Sequence, residues 1–227
     1  MHLYKTCPNF VPNKSLTMGR LPNGINGPIV GKVGTVIGSS RFGKPYVKGP
    51  YKKRTKKAKG GELGNRNKFG MSQKWLKPVL DFVREGFSMY KKTSGAFVAA
   101  KSNLLLNAFE GTVPDIRVNP ALAKLSTGEL PLPSGIVAEH EAPGQVKFSW
   151  DTAGIDYSLK YDQVMMLAYD IENRKAYYNI TGQFRSTGSD TLMIDPTAGK
   201  THHLYLAFTS ADRSMQSDSV YLGAISN

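Results

Sequence analysis

Beyond about residue 115, short apolar runs recur at near-regular intervals and are separated by turn clusters, a pattern that few folds can satisfy. The runs are 116–118, 123–125, 136–139, 146–150, 163–169, 176–180, 191–194, 203–210 and 219–222. Clusters such as 151–154, 170–174 and 196–200, rich in Asp, Gly, Asn and Pro, divide them. Seven or more short strands so spaced predict an antiparallel β-sandwich. In the run 146–150, Val146, Phe148 and Trp150 alternate with Lys147 and Ser149, so one face is buried and Trp150 anchors it. The single cysteine, Cys7, excludes a disulfide framework and a Cys-rich zinc module, so packing alone must hold this sandwich together.

Upstream the period changes. Over 71–93, Trp75, Val79, Phe82, Val83 and Tyr90 recur at helical spacing, with Ser72 able to cap and Pro78 tolerable only near the start. A second helical run over 94–109 brings Phe97, Ala100, Leu104 and Ala108 to one face, and Gly95 marks the break. Such a helical hairpin has apolar faces that need covering. Residues 18–50 are Gly-rich, with turn signals at Asn23-Gly24 and Asn26-Gly27, and the stretches 32–39 and 41–47 are expected as a small hairpin or as two extended segments. A lone hairpin is marginal in water, so this stretch is expected to dock on its own C-terminal domain or on another subunit. The fold class is thus α+β: a tail at 1–17, a Gly-rich basic segment at 18–60, a helical hairpin at 61–110 and a sandwich at 111–227. Residues 1–17 lack the apolar core of a secretory signal, Met18 is an alternative start, and no run is apolar enough for a transmembrane helix.

Charge divides the chain at the same place. Residues 1–60 carry 13 Lys+Arg and no Asp or Glu, and residues 1–110 carry a net charge of +17. Residues 111–227 carry −4, so the overall +13 belongs to the first half. Lys52, Lys53, Arg54, Lys56, Lys57 and Lys59 put six cations into eight residues between glycines, a run that repels itself and is expected to be an exposed arm. Upstream, Arg41, Lys44 and Lys48 interleave with Phe42, Tyr46 and Tyr51, a mixture compatible with stacking on single-stranded bases. These nine cations are the candidate polyanion-binding residues. No base-reading motif accompanies them, so binding should be largely independent of nucleotide sequence.

Catalytic patterns are missing from the sequence. His202 and His203 are adjacent and point to opposite faces of a strand, and His140 lies between Glu139 and Glu141, so no pair makes a chelate locally. The glycines around Lys32 depart from a phosphate loop, because Val33 stands where Ser or Thr is required. No Gly-x-Ser-x-Gly elbow occurs, and Asp151 and Asp156 flank a turn. The expectation is a non-enzyme without metal or cofactor.

Two resemblances extend this reading. The segments VKFSWD (146–151), VMMLAYD (164–170) and AGKTHHLYLAFTSADRSMQSDSVYLG (198–223) resemble a fibronectin type III or related immunoglobulin-like sandwich. The stretch MGRLPNGINGPIVGKVGTVIGSSRFGKPYVKGP (18–50), followed by KFGMSQKWLKPVLDFVREGF (68–87), resembles a family of uncharacterised proteins from Bacteroidota. This chain departs from that family in carrying Arg41-Phe42 where a Trp-Lys pair is common, and the family implies no activity. The expected function is structural: the sandwich contacts other protein subunits or copies of itself, and the basic half contacts nucleic acid or another polyanion. A virion or phage-like particle component with a genome-facing arm, and a cell-surface adhesion module, are the alternatives. The expected location is cytoplasmic or particle-associated.

Overall fold

A computed structural model describes residues 19–53, 55–112 and 114–226. The expectations for the tail at 1–17, for Met18, Cys7 and Arg54 fall outside the described residues. The chain divides into two compact units, one running to Lys57 and one beginning at Ala58. In the first, β1 (Gly31–Val33), β2 (Val36–Arg41) and β3 (Lys44–Lys48) form an antiparallel sheet in that order. The expected extended piece at 32–39 is itself folded over, because Gly34, with φ +55°, turns the chain between β1 and β2. Gly38 is obligatory for another reason: a Cβ there would sit 2.0 Å from the Ile29 carbonyl oxygen.

The second unit begins with helices α1 (Gly61–Leu76), α2 (Leu80–Gly86) and α3 (Ala96–Asn107). The helix expected over 71–93 is two helices, and the first starts ten residues earlier. Ser72 is therefore no cap. It is buried within α1, and its hydroxyl donates to the Phe69 carbonyl at 2.9 Å, three residues back. Pro78 has no N–H to offer and its ring collides with the preceding turn, so α1 stops at Leu76 and a new helix starts at Leu80. Gly95, with φ +89°, supplies the break before α3. Among the described residues no helix is long and apolar enough to cross a membrane.

Two short strands, β4 (Phe109–Glu110) and β5 (Arg117–Val118), pair next. The strand expected at 123–125 is absent: Leu125 is buried there, but its N–H donates to the Ser219 hydroxyl at 2.9 Å instead of joining a ladder. The other expected strands are present as β6 (Val137–Ala142), β7 (Gln145–Ser149), β8 (Gln163–Asp170), β9 (Lys175–Asn179), β10 (Ser189–Met193), β11 (Thr201–Thr209) and β12 (Val220–Ser226). They form two antiparallel sheets, β10-β7-β6 and β12-β11-β8-β9, the three-plus-four arrangement of a fibronectin type III-like sandwich.

Between the sheets lie Val146, Phe148 and Trp150 with Val164, Met166, Ala168, Leu204, Leu206 and Phe208. Trp150 stands edge-on to Phe208, with ring centroids 5.3 Å apart, and its indole N–H donates to the Arg185 carbonyl at 2.7 Å. The alternate residues of β8 and β11, namely Met165, Leu167, Tyr169, Tyr205 and Ala207, face the other way. They form a second core with Leu76, Phe82, Phe87 and Leu104 of the helical segment. The helices are thus a third layer, and the four-stranded sheet covers the apolar faces that the sequence left open.

An ion pair seals one edge of the inter-sheet core. Arg185 and Asp162 lie 3.2 Å apart with side chains only 3% exposed each. The guanidinium also donates to the Pro131 carbonyl at 2.7 Å and lies over the Phe208 ring. Burial pushes the Asp162 carboxyl above its usual range despite the pull of Arg185. Removing one partner of such a pair strands a buried charge. Arg185→Ala should cost about 3–5 kcal/mol in denaturant unfolding, and the paired change Arg185→Met with Asp162→Leu far less.

The adjacent histidines do lie on opposite faces. His202 is buried on the inter-sheet side, edge-on to the Tyr177 ring at 5.8 Å, and neither ring nitrogen has a hydrogen-bond partner among the described residues. Desolvation lowers its pKa against the pull of Asp170 and Asp195, and Lys200 adds to the lowering. His203, on the helix-facing side, pairs with the Tyr221 hydroxyl at 2.9 Å and is also lowered by burial. A histidine lowered in the folded state takes up its proton more readily when unfolded. Stability is therefore complete above about pH 6.5 and is lost as pH falls through that value. The carboxyls of Asp170, Asp195, Asp212 and Asp218, all held low, respond only below about pH 4, whereas Asp162 works in the opposite sense. The thermal midpoint should fall between pH 7.5 and 5.5, and His202→Leu should flatten that fall.

Candidate polyanion-binding face

The register of the first unit's sheet decides which side chains stand together. In β2 and β3, Arg41 pairs with Lys44, Ser39 with Tyr46 and Ile37 with Lys48. In β1, Lys32 pairs with the same Ile37. Partners directly opposite share a face, and successive residues alternate between faces. Lys32, Arg41, Lys44 and Lys48 therefore stand on one face, with Tyr46 among them. These are all the cations of the three strands. The other face carries Val33, Val36, Pro45 and Val47 with Gly31, Gly38 and Ser40.

This partition is electrostatically unfavourable in isolation. Arg41 and Lys44 are directly opposed like charges, an arrangement that weakens a sheet unless an anion neutralises it. The four cations and Tyr46 are all exposed, and among the described residues of this unit only Gly38 is buried. The hairpin tip adds to the cost. Phe42 and Gly43 form the two-residue turn with φ +50° and +77°, a geometry that suits Asn-Gly and strains a bulky aromatic. The Arg41 guanidinium lies over the Phe42 ring, 5.4 Å from its centroid.

The structure thus brings together Arg41, Lys44 and Lys48 from the sequence-derived candidates. Lys32, which the sequence reading omitted, joins them. Its signal was its period-two spacing, legible only once β1 is paired. Lys52, Lys53, Lys56 and Lys57 follow β3 in exposed, irregular chain, and Lys59 belongs to the second unit, just ahead of α1. Arg54 lies outside the described residues. Tyr51, at the start of the run, is 97% exposed. Among the described residues, no three or more His, Cys, Asp or Glu side chains gather as a metal site.

The chain belongs to a family of unknown function (DUF6266), which it matches over residues 28–223. The matched span takes in the first unit's β1-β2-β3 sheet, the basic run, the helices, six of the sandwich strands and the first half of β12. Among curated proteins, none matches the chain.

Phe42→Asn should relieve the turn, because Asn adopts positive φ at lower cost than a bulky aromatic and an αL residue without that tolerance costs about 1–2 kcal/mol. Slower amide hydrogen exchange at Arg41 and Lys44, the pair that closes the turn, is the expected outcome.

Proposed function

We propose that this chain works by binding a polyanion through its first unit, with single-stranded nucleic acid the best fit and no reading of base sequence. One observation carries the proposal: every cation of the three-stranded sheet stands on one face around Tyr46. A flat row of cations matches a phosphate backbone, and the exposed rings of Tyr46, Phe42 and Tyr51 offer stacking surfaces that any base can use. The exposed run after β3 adds cations that can follow the same strand. The chemistry of Lys and Arg on an open sheet gives charge and stacking without a groove-reading element, so affinity should follow salt more than sequence.

The test is binding of labelled single-stranded and duplex oligonucleotides across a salt series. For single strands, each phosphate contact contributes about −0.7 to the slope of log affinity against log salt. Replacing Lys32, Arg41, Lys44 and Lys48 by Gln should make that slope shallower by about 3, whereas Lys175→Gln in the second unit should leave it alone. Tyr46→Ala should weaken single-strand binding by about 1–3 kcal/mol with little change in slope. Equal affinity of the four-Gln variant and the parent, or affinity indifferent to salt, would sink the proposal.

A further inference from the structure

The second unit carries a separate binding feature. Where α1 and β5 meet the β8–β9 turn there is an open cleft of about 310 Å³. Its apolar lining comes from Met71, Trp75, Val118, Tyr169 and Ile171. Three cations, Lys74, Arg117 and Arg174, converge on the same cleft, and no acidic residue lines it. Arg117 shares its charge with Glu110 at 3.7 Å. Among the described residues, neither Lys74 nor Arg174 has a carboxylate within ion-pair distance.

Two further observations point to a ligand. Trp75 is only 7% exposed, and its indole N–H is buried with no acceptor among the described residues. A buried donor left unpaired is costly, so Trp75, which lines the cleft, carries an unmet hydrogen-bonding demand. Arg174 is held at φ +55°, at the end of the β8–β9 turn where Gly or Asn is the ordinary choice. A strained backbone that brings a cation to an apolar cleft is the pattern of a functional position. Tyr169 closes the floor, with its hydroxyl committed to the Trp75 carbonyl at 2.8 Å and its ring edge-on to the Trp75 indole.

We propose that this cleft binds a small amphipathic anion, a medium-chain carboxylate. The apolar body lies along Met71, Trp75 and Ile171, and the carboxylate is held by Lys74 and Arg174. The volume lies at the small end of ligand sites, which suits a chain of several carbons better than a nucleotide. This site is independent of the basic sheet and of its polyanion.

The experiment follows the two tryptophan indole N–H resonances of the full chain by NMR while octanoate is added. The Trp150 indole, already bonded to the Arg185 carbonyl, is an internal control, and Trp75→Phe assigns the signals. The Trp75 resonance should move saturably while that of Trp150 stays put. Lys74→Gln with Arg174→Gly should weaken octanoate by about tenfold or more, and 1-octanol should bind the parent about tenfold more weakly than octanoate. Gly is at home at positive φ, so this variant is expected to fold, which an unchanged Trp150 resonance checks. No shift up to the solubility of octanoate, or equal binding of octanol and octanoate, overturns the proposal.

Discussion

Strands β8 and β11 are buried on both faces, and the rest of the second unit follows from that. Their pairing runs from His203 opposite Tyr169 to Thr209 opposite Gln163. Val164, Met166 and Ala168 with Leu204, Leu206 and Phe208 fill the inter-sheet core, while Met165, Leu167 and Tyr169 with Tyr205 and Ala207 fill the other. Two adjacent strands with no polar face require a cover on each side. The β10-β7-β6 sheet is one cover and the helical segment is the other. The helices need the sheet as much as the sheet needs them, since Leu76, Phe82 and Leu104 would otherwise face water.

That requirement also explains which parts of the fold were legible in the sequence. The sandwich strands could be located because turn residues delimit them and because β7 alternates, Val146 and Phe148 inward against Lys147 outward. The third layer was legible too, in a signal the sandwich reading did not use. The runs VMMLAY and LYLAF have no polar alternation, and strands with one wet face do not look like that. The errors have local causes. Ser72 is of a residue type that prefers helix starts, but it is buried inside α1, where its hydroxyl bonds back to Phe69. The run 123–125 is apolar because Leu125 is an anchor in the helix-facing core, and burial alone does not make a strand.

In the first unit the limits of legibility are different. Composition exposes the basic character, and the turn at Phe42-Gly43 sets the β2–β3 register. The segregation of Lys32 from Val33, and of Lys44 and Lys48 from Val47, depends on that register, in which a slip of one residue would exchange the faces. A charge count cannot see this. The dense run at 52–59 dominates any tally by sequence, although fixed positions on paired strands orient charge in a way that an irregular segment does not. The cleft beside Trp75 was invisible for the same reason: Lys74, Arg117 and Arg174 are far apart in the sequence, and only the packing of α1 and β5 beside the β8–β9 turn gathers them.

The energetic costs in the first unit point the same way. A sheet with Arg41 opposite Lys44, a strained Phe42 and no buried side chain among its described residues is assembled against its own electrostatics and without a core. An anion bound to the cationic face removes the repulsion, and any ligand that prefers the folded form stabilises it by mass action. Occupancy and order in this sheet are therefore thermodynamically linked: part of the binding energy goes into holding the strands together, and apparent affinity is lowered by that amount. Salt acts on both terms in opposite directions. It screens the Arg41–Lys44 repulsion, which favours the free sheet, and it competes for the face, which weakens the complex. The second unit has two cores and a sealed edge, so packing within the unit holds its strands and helices together.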